Sequence, residues 1–439
     1  MLYERSRSAF VVTDPSEIVQ ALVGLKDVRV LHYARRGRDV ELMIEQAVSA
    51  VSCASCGELA RVKERPVVSY VDLPVYATPM RLAWKKHRTA CVNSECAQGT
   101  FVLQDHRIAA KNCLLTTRAA KWATVQVGTG RTVSEVAAEL SCDWHTVNDA
   151  VTTYGAALLA ADRRRLNKTT AIGLDETAFV RRGRYRHTSF VTTVADVENH
   201  QIIDIVPSRN YRDVARFIDD QPEAWKERIC FGALDLSATY AAVYSVVLPD
   251  ALQVVDPFHA VKLANQALDA IRRRVQSEQL GHRGRRDDPL YRSRKLLLMA
   301  EERLDEKASA RLSSLLALGD PNAEVAIAYA VKERLRDFYR SPDLESARQL
   351  LEELKEHCLK KAMPPEIRRL GGTINRWFEK LCNFHLARVS NGPTETLNNL
   401  IKRVKRVGFG FRNFANYRIR VLLYAGKPNW RVLGSIVVR

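Results

Sequence analysis

The chain has 439 residues, 46% of them apolar, with 68 lysines and arginines against 50 acids and a net charge of +18. That length suggests roughly two to four domains, and so strong a basic excess points to a polyanionic partner, most often nucleic acid. No run approaches the ~18 consecutive apolar residues of a membrane span, and Met1–Ser8 is followed by no long apolar core, so neither a span nor a secretory signal is expected.

The nine cysteines are unevenly spread, four in two pairs before residue 100 and five singly. An odd, scattered set suggests a metal site and reduced thiols in a cytosol rather than a disulfide framework. Glu17–Leu25 has helical spacing. Val28–Tyr33 and Asp39–Glu45 alternate as two strands turned at Arg36–Arg38. Cys53-Ala-Ser-Cys56-Gly57 follows, and Gly57 permits the tight turn that lets both thiolates face one ion. A second pair, Cys91 and Cys96, closes a longer knuckle. Between the pairs lie strand-like Val67–Leu73 and Met80–Thr89. A hairpin joining two such knuckles is the layout of a four-cysteine zinc ribbon, in which structural Zn²⁺ replaces a core too small to fold alone.

Leu114–Val127 has helical periodicity, broken at Gly128–Gly130. It resumes over Val133–Leu140, capped by Thr132 or Ser134, and again over Trp144–Tyr154 after a short break at Ser141–Asp143. That is a helix-turn-helix pattern, whose second helix would offer His145, Thr146, Asn148 and Asp149 to a major groove. A small three-helix bundle is the plainer alternative.

From residue 170 strand and helix signals alternate. Ala171–Leu174 is an apolar run that stops on Asp175 and Glu176. Tyr185–Asp196 and Gln201–Val206 are two further strands. Arg212–Asp220 reads as helix, Ile229–Leu234 as a strand ending on Asp235, Ala238–Val247 as helix, and Leu252–Val255 as a strand ending on Asp256. A longer helix is expected over His259–Gln276. Three antiparallel strands, then helix, strand, helix, strand, is the order of a ribonuclease H-like fold. Residues 271–295 carry nine Lys or Arg against three acids, among them Arg272, Arg273 and Arg274, and read as a flexible basic loop on a DNA path. Tyr291–Lys380 reads as an all-helical insertion. Ser390–Asn399 is a turn and then a helix, with Pro393 at a first helical position and Glu395 in the first turn. Lys402, Arg403, Lys405 and Arg406 follow on that helix. Then come the glycine-broken aromatic turn Gly408–Phe414, with Arg412, and a closing helix over Tyr417–Tyr424.

The expected architecture is therefore multidomain α+β. A zinc-ribbon-like domain spans 1–110 and a helix-turn-helix domain 111–165. A ribonuclease H-like α/β catalytic core spans 166–276 and 386–439, interrupted by an all-helical insertion over 277–385. Two-metal phosphoryl transfer needs a few carboxylates converging on two divalent ions. In such a core they come from the first strand, the end of the fourth and a late helix, conditions met by Asp175, Asp235 and Glu395. Neighbouring side chains on a strand face opposite ways, so Asp175 enters the site and Glu176 shapes the turn beside it. Asp256 and His259 would ligate metal or support the site from behind.

On these residues the chain resembles DDE transposases of the ISL-three insertion-sequence family. The matching features are the two cysteine pairs, the helix-turn-helix, Gly173-Leu-Asp-Glu176, Leu234-Asp-Leu-Ser-Ala-Thr-Tyr240, Val255-Asp-Pro-Phe-His259 and Asn391-Gly-Pro-Thr-Glu395 with its basic helix. The resemblance covers essentially the whole chain, with Pro257 standing where a basic residue is common. It implies a helical insertion between the second Asp and the Glu, and an Asp-x-x-His element at Asp256 and His259. It implies binding of terminal inverted repeats through the zinc and helix-turn-helix domains. Cleavage and strand transfer into target DNA would use two Mg²⁺ or Mn²⁺ ions held by Asp175, Asp235 and Glu395. A homodimer or larger assembly on DNA is implied, in the bacterial cytoplasm at the nucleoid. A DNA-binding regulator derived from a transposase, without catalysis, is the alternative.

Overall fold

The computed structural model describes Glu17, residues 23–25, 27–182, 187–282 and 284–438. They fall into two compact units, residues 1–165 with 404–439, and residues 166–403. The helix expected over Glu17–Leu25 lies largely outside the described residues, as do the first residues of the strand expected from Tyr185.

Eight strands build the sheets of the first unit: β1 (Val28–Arg36), β2 (Asp39–Gln46), β3 (Val51–Ser52), β4 (Leu59–Glu64), β5 (Val67–Val75), β6 (Thr78–Lys85), β7 (Arg88–Cys91) and β8 (Thr100–Val102). They form two four-stranded sheets, ordered β1–β2–β6–β5 and β3–β4–β7–β8. In the first sheet β2 and β6 run parallel. Alternation along them turns Val40, Leu42 and Ile44, and Met80, Leu82 and Trp84, into one core with Tyr70 and Ile108. The β5–β6 hairpin closes on Tyr76 and Ala77, both left-handed at φ 45° and 58°. This corrects the zinc-ribbon layout. The hairpin between the cysteine pairs belongs to the first sheet, because Trp84 and Leu82 have a core to enter there, while the cysteines sit on the second.

The helices Thr117–Gly128, Val133–Glu139 and Trp144–Ala161 follow. Thr132 and Glu135 form a reciprocal capping box on the second of these, and Asp143 caps the third through the amide of Thr146. Ser141, at φ 51°, makes the turn between them. Ala123, Val127, Val136, Leu140, Val147, Val151 and Tyr154 close the core, joined by Leu423 and Leu433 of the helices Phe414–Ala425 and Trp430–Ser435. Residues 404–439, read from the sequence as the end of the catalytic core, thus pack within the first unit.

The second unit holds a five-stranded sheet of order β11–β10–β9–β12–β13, where β9 is Ala171–Arg182, β10 His187–Asp196, β11 Gln201–Val206, β12 Phe231–Leu234 and β13 Leu252–Val255. β9, β10 and β11 are antiparallel neighbours, and β12 and β13 run parallel to β9. The β9 strand does not stop at Asp175. It pairs with β10 as far as Arg182, with Asp175 opposite Thr193 and Glu176 opposite Thr192, so Glu176 lies within a strand and shapes no turn. Pairing with β12 covers only Ala171–Gly173. The apolar run ends where that cover ends.

Gly173 is fixed by its neighbours. A Cβ there would stand 2.3 Å from both Asn391 Oδ1 and Thr394 Oγ1, and 2.8 Å from Val197. Only glycine lets the Asn391–Thr394 turn rest directly on β9. Gly173→Ala should therefore lower stability by about 1–3 kcal/mol through overpacking, read as a lower urea midpoint at unchanged slope; an unchanged midpoint would refute the close approach.

Helices fill the rest of the unit. The helix Pro257–Leu280 carries Arg272 and Arg274, so the expected basic loop narrows to residues 281–288. Arg272 is buried and paired to Asp269 at 2.6 Å. Arg274 ties Glu366 (2.9 Å) and Glu324 (2.5 Å) from two other helices. Arg274→Ala leaves the buried Glu366 without its partner and is expected to cost about 3 kcal/mol. Thermal melting should show it, with Glu366→Gln in the same background restoring part of the loss.

Candidate functional site

The first unit gathers Cys53, Cys56, Cys91 and Cys96, whose sulfurs all lie within 4.8 Å of one another. Cys53 Sγ is 3.8 Å from Cys96 Sγ, and Cys56 Sγ is 3.4 Å from Cys91 Sγ. A tetrahedron of thiolates about 2.3 Å from Zn²⁺ has edges of about 3.8 Å, so the donor set fits that ion. Gly57 at φ 79° closes the first knuckle, its amide on the Cys53 carbonyl at 2.8 Å. Gly99 at φ 56° closes the second in the same way on Cys96. The sequence spacing looked long at Cys91–Cys96; the Cys91 amide bonding back to Gly99 takes up the extra residues.

The second unit brings the predicted carboxylates to one sheet edge. β12 pairs with β9 with Ala233 opposite Gly173. Asp235 directly follows β12, and Asp175 is near enough for its charge to raise the Asp235 carboxyl. Each carboxyl is held above the usual carboxylate range, first by burial and then by neighbouring acids, and Asp235 is pushed up to about 6. One oxygen of Asp235 is buried without a hydrogen-bond partner. Two crowded carboxylates with an unsatisfied oxygen suit a divalent cation. Among the described residues, however, only the four thiols close to within 4.8 Å of one another.

Glu395 stands in the first turn of the helix Gly392–Val407. His259 Nε2 is 3.5 Å from Glu395 Oε1 and its Nδ1 is 3.7 Å from Asp256 Oδ1. The Asp256 carboxylate raises the His259 imidazole above its ordinary value, against the opposing effect of burial. Asp256 caps the helix Pro257–Leu280 through the amides of Phe258 and His259, and its second oxygen accepts the amide of Asn391. It thereby joins the end of β13 to the turn that carries Glu395. Burial pushes the Asp256 carboxyl up, but His259 and these amides outweigh it and hold it low.

The roles of three residues here escaped the sequence reading. Asn398 lies one turn beyond Glu395, donates to Asp175 Oδ2 at 2.6 Å and accepts from Thr193 at 2.7 Å. The i, i+3 spacing in Glu395-Thr-Leu-Asn398 was the available signal. Tyr240 donates to Glu176 at 3.1 Å, so Glu176 faces away from Asp175, as strand alternation requires. Gly173 is the third, through the steric role already described.

The basic candidates sort differently. His145 is exposed, with its ring edge-on to Trp144 at 5.2 Å. Thr146 and Asn148 are buried, and the Thr146 hydroxyl bonds Asp143 at 3.0 Å. Arg272 and Arg274 are engaged in the helical layer, whereas Arg273 is exposed and paired with Asp269. Lys402, Arg403, Arg406 and Arg412 are exposed and Lys405 is half-buried, while Leu397, Ile401 and Val404 of the same helix face inward.

Residues 172–421 match the family model of ISL3-type DDE transposases, described as "Transposase". The chain is 27% identical over 398 residues to the "Transposase for insertion sequence element IS1001" of Bordetella parapertussis, covering 88% of this chain and 91% of that one. It is 28% identical over 293 residues to the "Transposase for insertion sequence element IS1557" of Mycobacterium tuberculosis, covering 62% and 63% respectively. No helix among the described residues is long and apolar enough to cross a membrane.

Proposed function

Since this chain belongs to the ISL-three family of DDE transposases, we propose that it binds the terminal inverted repeats of an insertion sequence, cuts the DNA there and joins the freed ends to target DNA. The observation that carries the reading is the shared sheet edge. Asp175 lies on β9 and Asp235 just past its parallel neighbour β12, near enough for the Asp175 charge to raise Asp235, and the turn bearing Glu395 rests against Gly173 of β9. Two Mg²⁺ or Mn²⁺ ions bound by Asp175, Asp235 and Glu395 would supply the Lewis acidity for in-line displacement at phosphorus.

The chain's own residues prepare that site. Asn398, itself held by the Thr193 hydroxyl, fixes the Asp175 carboxylate. Asp256 positions both His259 and the Asn391 turn. His259 Nε2, 3.5 Å from Glu395 Oε1, holds that carboxylate near the sheet edge. Water is the first attacking group and the freed 3′-hydroxyl the second. The first step breaks the P–O3′ bond and forms a P–OH bond, the second replaces a target P–O3′ bond by one to the freed 3′-oxygen, and neither needs a Ser or Tyr nucleophile. The four-cysteine centre would hold structural zinc. That part of the chain, the helix-turn-helix and the basic face around Lys402, Arg403 and Arg406 would grip phosphates, with affinity falling steeply as salt rises. Joining two ends requires at least a dimer on DNA, acting in the bacterial cytoplasm.

The test combines purified protein, Mg²⁺ or Mn²⁺ and the DNA flanking its gene. End cleavage followed by strand transfer is the expected result. Binding without cleavage would instead mark a transposase-derived regulator, and cuts never joined would mark a nuclease.

A further inference from the structure

Within the first unit a cavity of about 360 Å³ lies between the second helix of the helix-turn-helix and the turn Gly408–Asn413. Its lining includes Trp144, Asn148, Phe409, Phe411, Asn416 and Arg420, and none of its lining residues is acidic. That volume suits a small ligand, for which cavities of about 300–1,000 Å³ are usual.

Arg420 is the unusual member. It is only 6% exposed, and among the described residues it forms no ion pair or side-chain hydrogen bond. Its contact is the Phe411 ring, 5.8 Å from the guanidinium carbon. Burial pulls it down to about 10. A buried cation without a partner is costly and calls for an anion. At the rim the opposite anomaly occurs. Phe409 is 96% exposed and held left-handed at φ 50°, between Gly408 and Gly410. Gly408 cannot be larger, because a Cβ there would meet the Phe411 ring at 2.7 Å. Trp144, 42% exposed, starts the second helix of the helix-turn-helix on the same cavity. Exposed aromatic faces beside a desolvated guanidinium, with amide side chains between them, match a base and its phosphate together better than either alone.

We propose that this cavity receives one nucleotide drawn out of the base stack of bound DNA, with its base against Phe409 and Trp144 and its phosphate on Arg420. The inference rests on the DNA-binding reading above and adds a second mode of contact to it. Extruding a base is easiest where the strand is already single, frayed or mispaired, so the site should favour single strands.

The test uses full-length protein and three fluorescein-labelled probes: a paired 20-mer duplex, single-stranded dT20, and a 20-mer of abasic deoxyribose phosphates. Wild type should bind dT20 at least about tenfold tighter than the abasic strand, the scale of one stacked base. Phe409→Ala and Arg420→Lys should each lower dT20 affinity about tenfold while duplex affinity stays within about twofold, which also reports that the variants fold. Equal losses on duplex and dT20, unchanged dT20 binding in Phe409→Ala, or abasic binding as tight as dT20 would each overturn the nucleotide site. Wild type that binds duplex but not dT20 overturns it alone, whereas wild type that binds no probe overturns the DNA reading beneath it as well.

Discussion

Asp235→Asn should abolish metal-dependent strand cleavage, a loss of at least about a thousandfold if the lost ligand is worth several kcal/mol in the transition state, without lowering the melting temperature. The second half of this expectation separates chemistry from folding. Asp235 is half-buried and feels the charge of Asp175, and one of its oxygens has no hydrogen-bond partner. In the absence of metal the second carboxylate adds repulsion and an unsatisfied acceptor, not cohesion. Replacing it with a neutral isostere removes the repulsion, so the metal-free variant should melt at the wild-type temperature or above. With Mg²⁺ added, wild type should gain stability and the variant should gain much less. Asn398→Ala is the useful companion, because it frees the Asp175 carboxylate without removing a proposed ligand. A partial loss of cleavage, recovered in part at higher metal concentration, is expected there. If Asp235→Asn cut DNA at the wild-type rate, or if it melted well below wild type, the shared sheet edge would not be the catalytic centre.

What could be read in the sequence follows a physical division. Ala238–Val247 and Leu252–Val255 have the expected bounds because local punctuation, Ser237 before one and Asp256 after the other, decides them. The nearness of Asp175 and Asp235 was legible because both follow apolar runs in strands of one parallel pair. The continuation of β9 to Arg182 was not, because it depends on pairing with β10 rather than on its own residues. Nor could a sequence tell an arginine that meets DNA from one that meets Glu366. Arg274 sits in the same basic run as Arg273, and only the packing of three helices distinguishes them. The hairpin Val67–Lys85 looked like the body of a zinc ribbon because it lies between the cysteines. Its buried Tyr70, Leu82 and Trp84 assign it to the other sheet. Asn398 and Gly173 escaped for the same reason: each matters through a partner more than 200 residues away.

Stripping metal from the four-cysteine centre should unfold the sheet β3–β4–β7–β8 while leaving its neighbour β1–β2–β6–β5 intact. The two sheets differ in what holds them. The β1–β2–β6–β5 sheet buries Leu42, Ile44, Tyr70, Met80, Leu82 and Trp84 in a shared core. The cysteine-bearing one has almost none: in β4 every residue but Ala60 is exposed, and Leu59 stands 56% open. Its fully buried side chains are few, Cys53 and Thr89 among them. Its hydrogen bonds alone, each worth about 1 kcal/mol net of water, do not offset the ordering entropy of its strands and knuckles. Structural zinc in a four-thiolate site contributes about 10–16 kcal/mol to folding, which makes the ion the core of this sheet. Chelation, or Cys53→Ser at the one buried thiol, should therefore remove amide protection from Arg88–Cys91 and open the segment around Gly57 to protease. The amides of β2 and β6 and of the helix Trp144–Ala161 should stay protected, since their burial owes nothing to the thiolates. Protection of Arg88–Cys91 that survives complete removal of metal would show that these strands hold together without it.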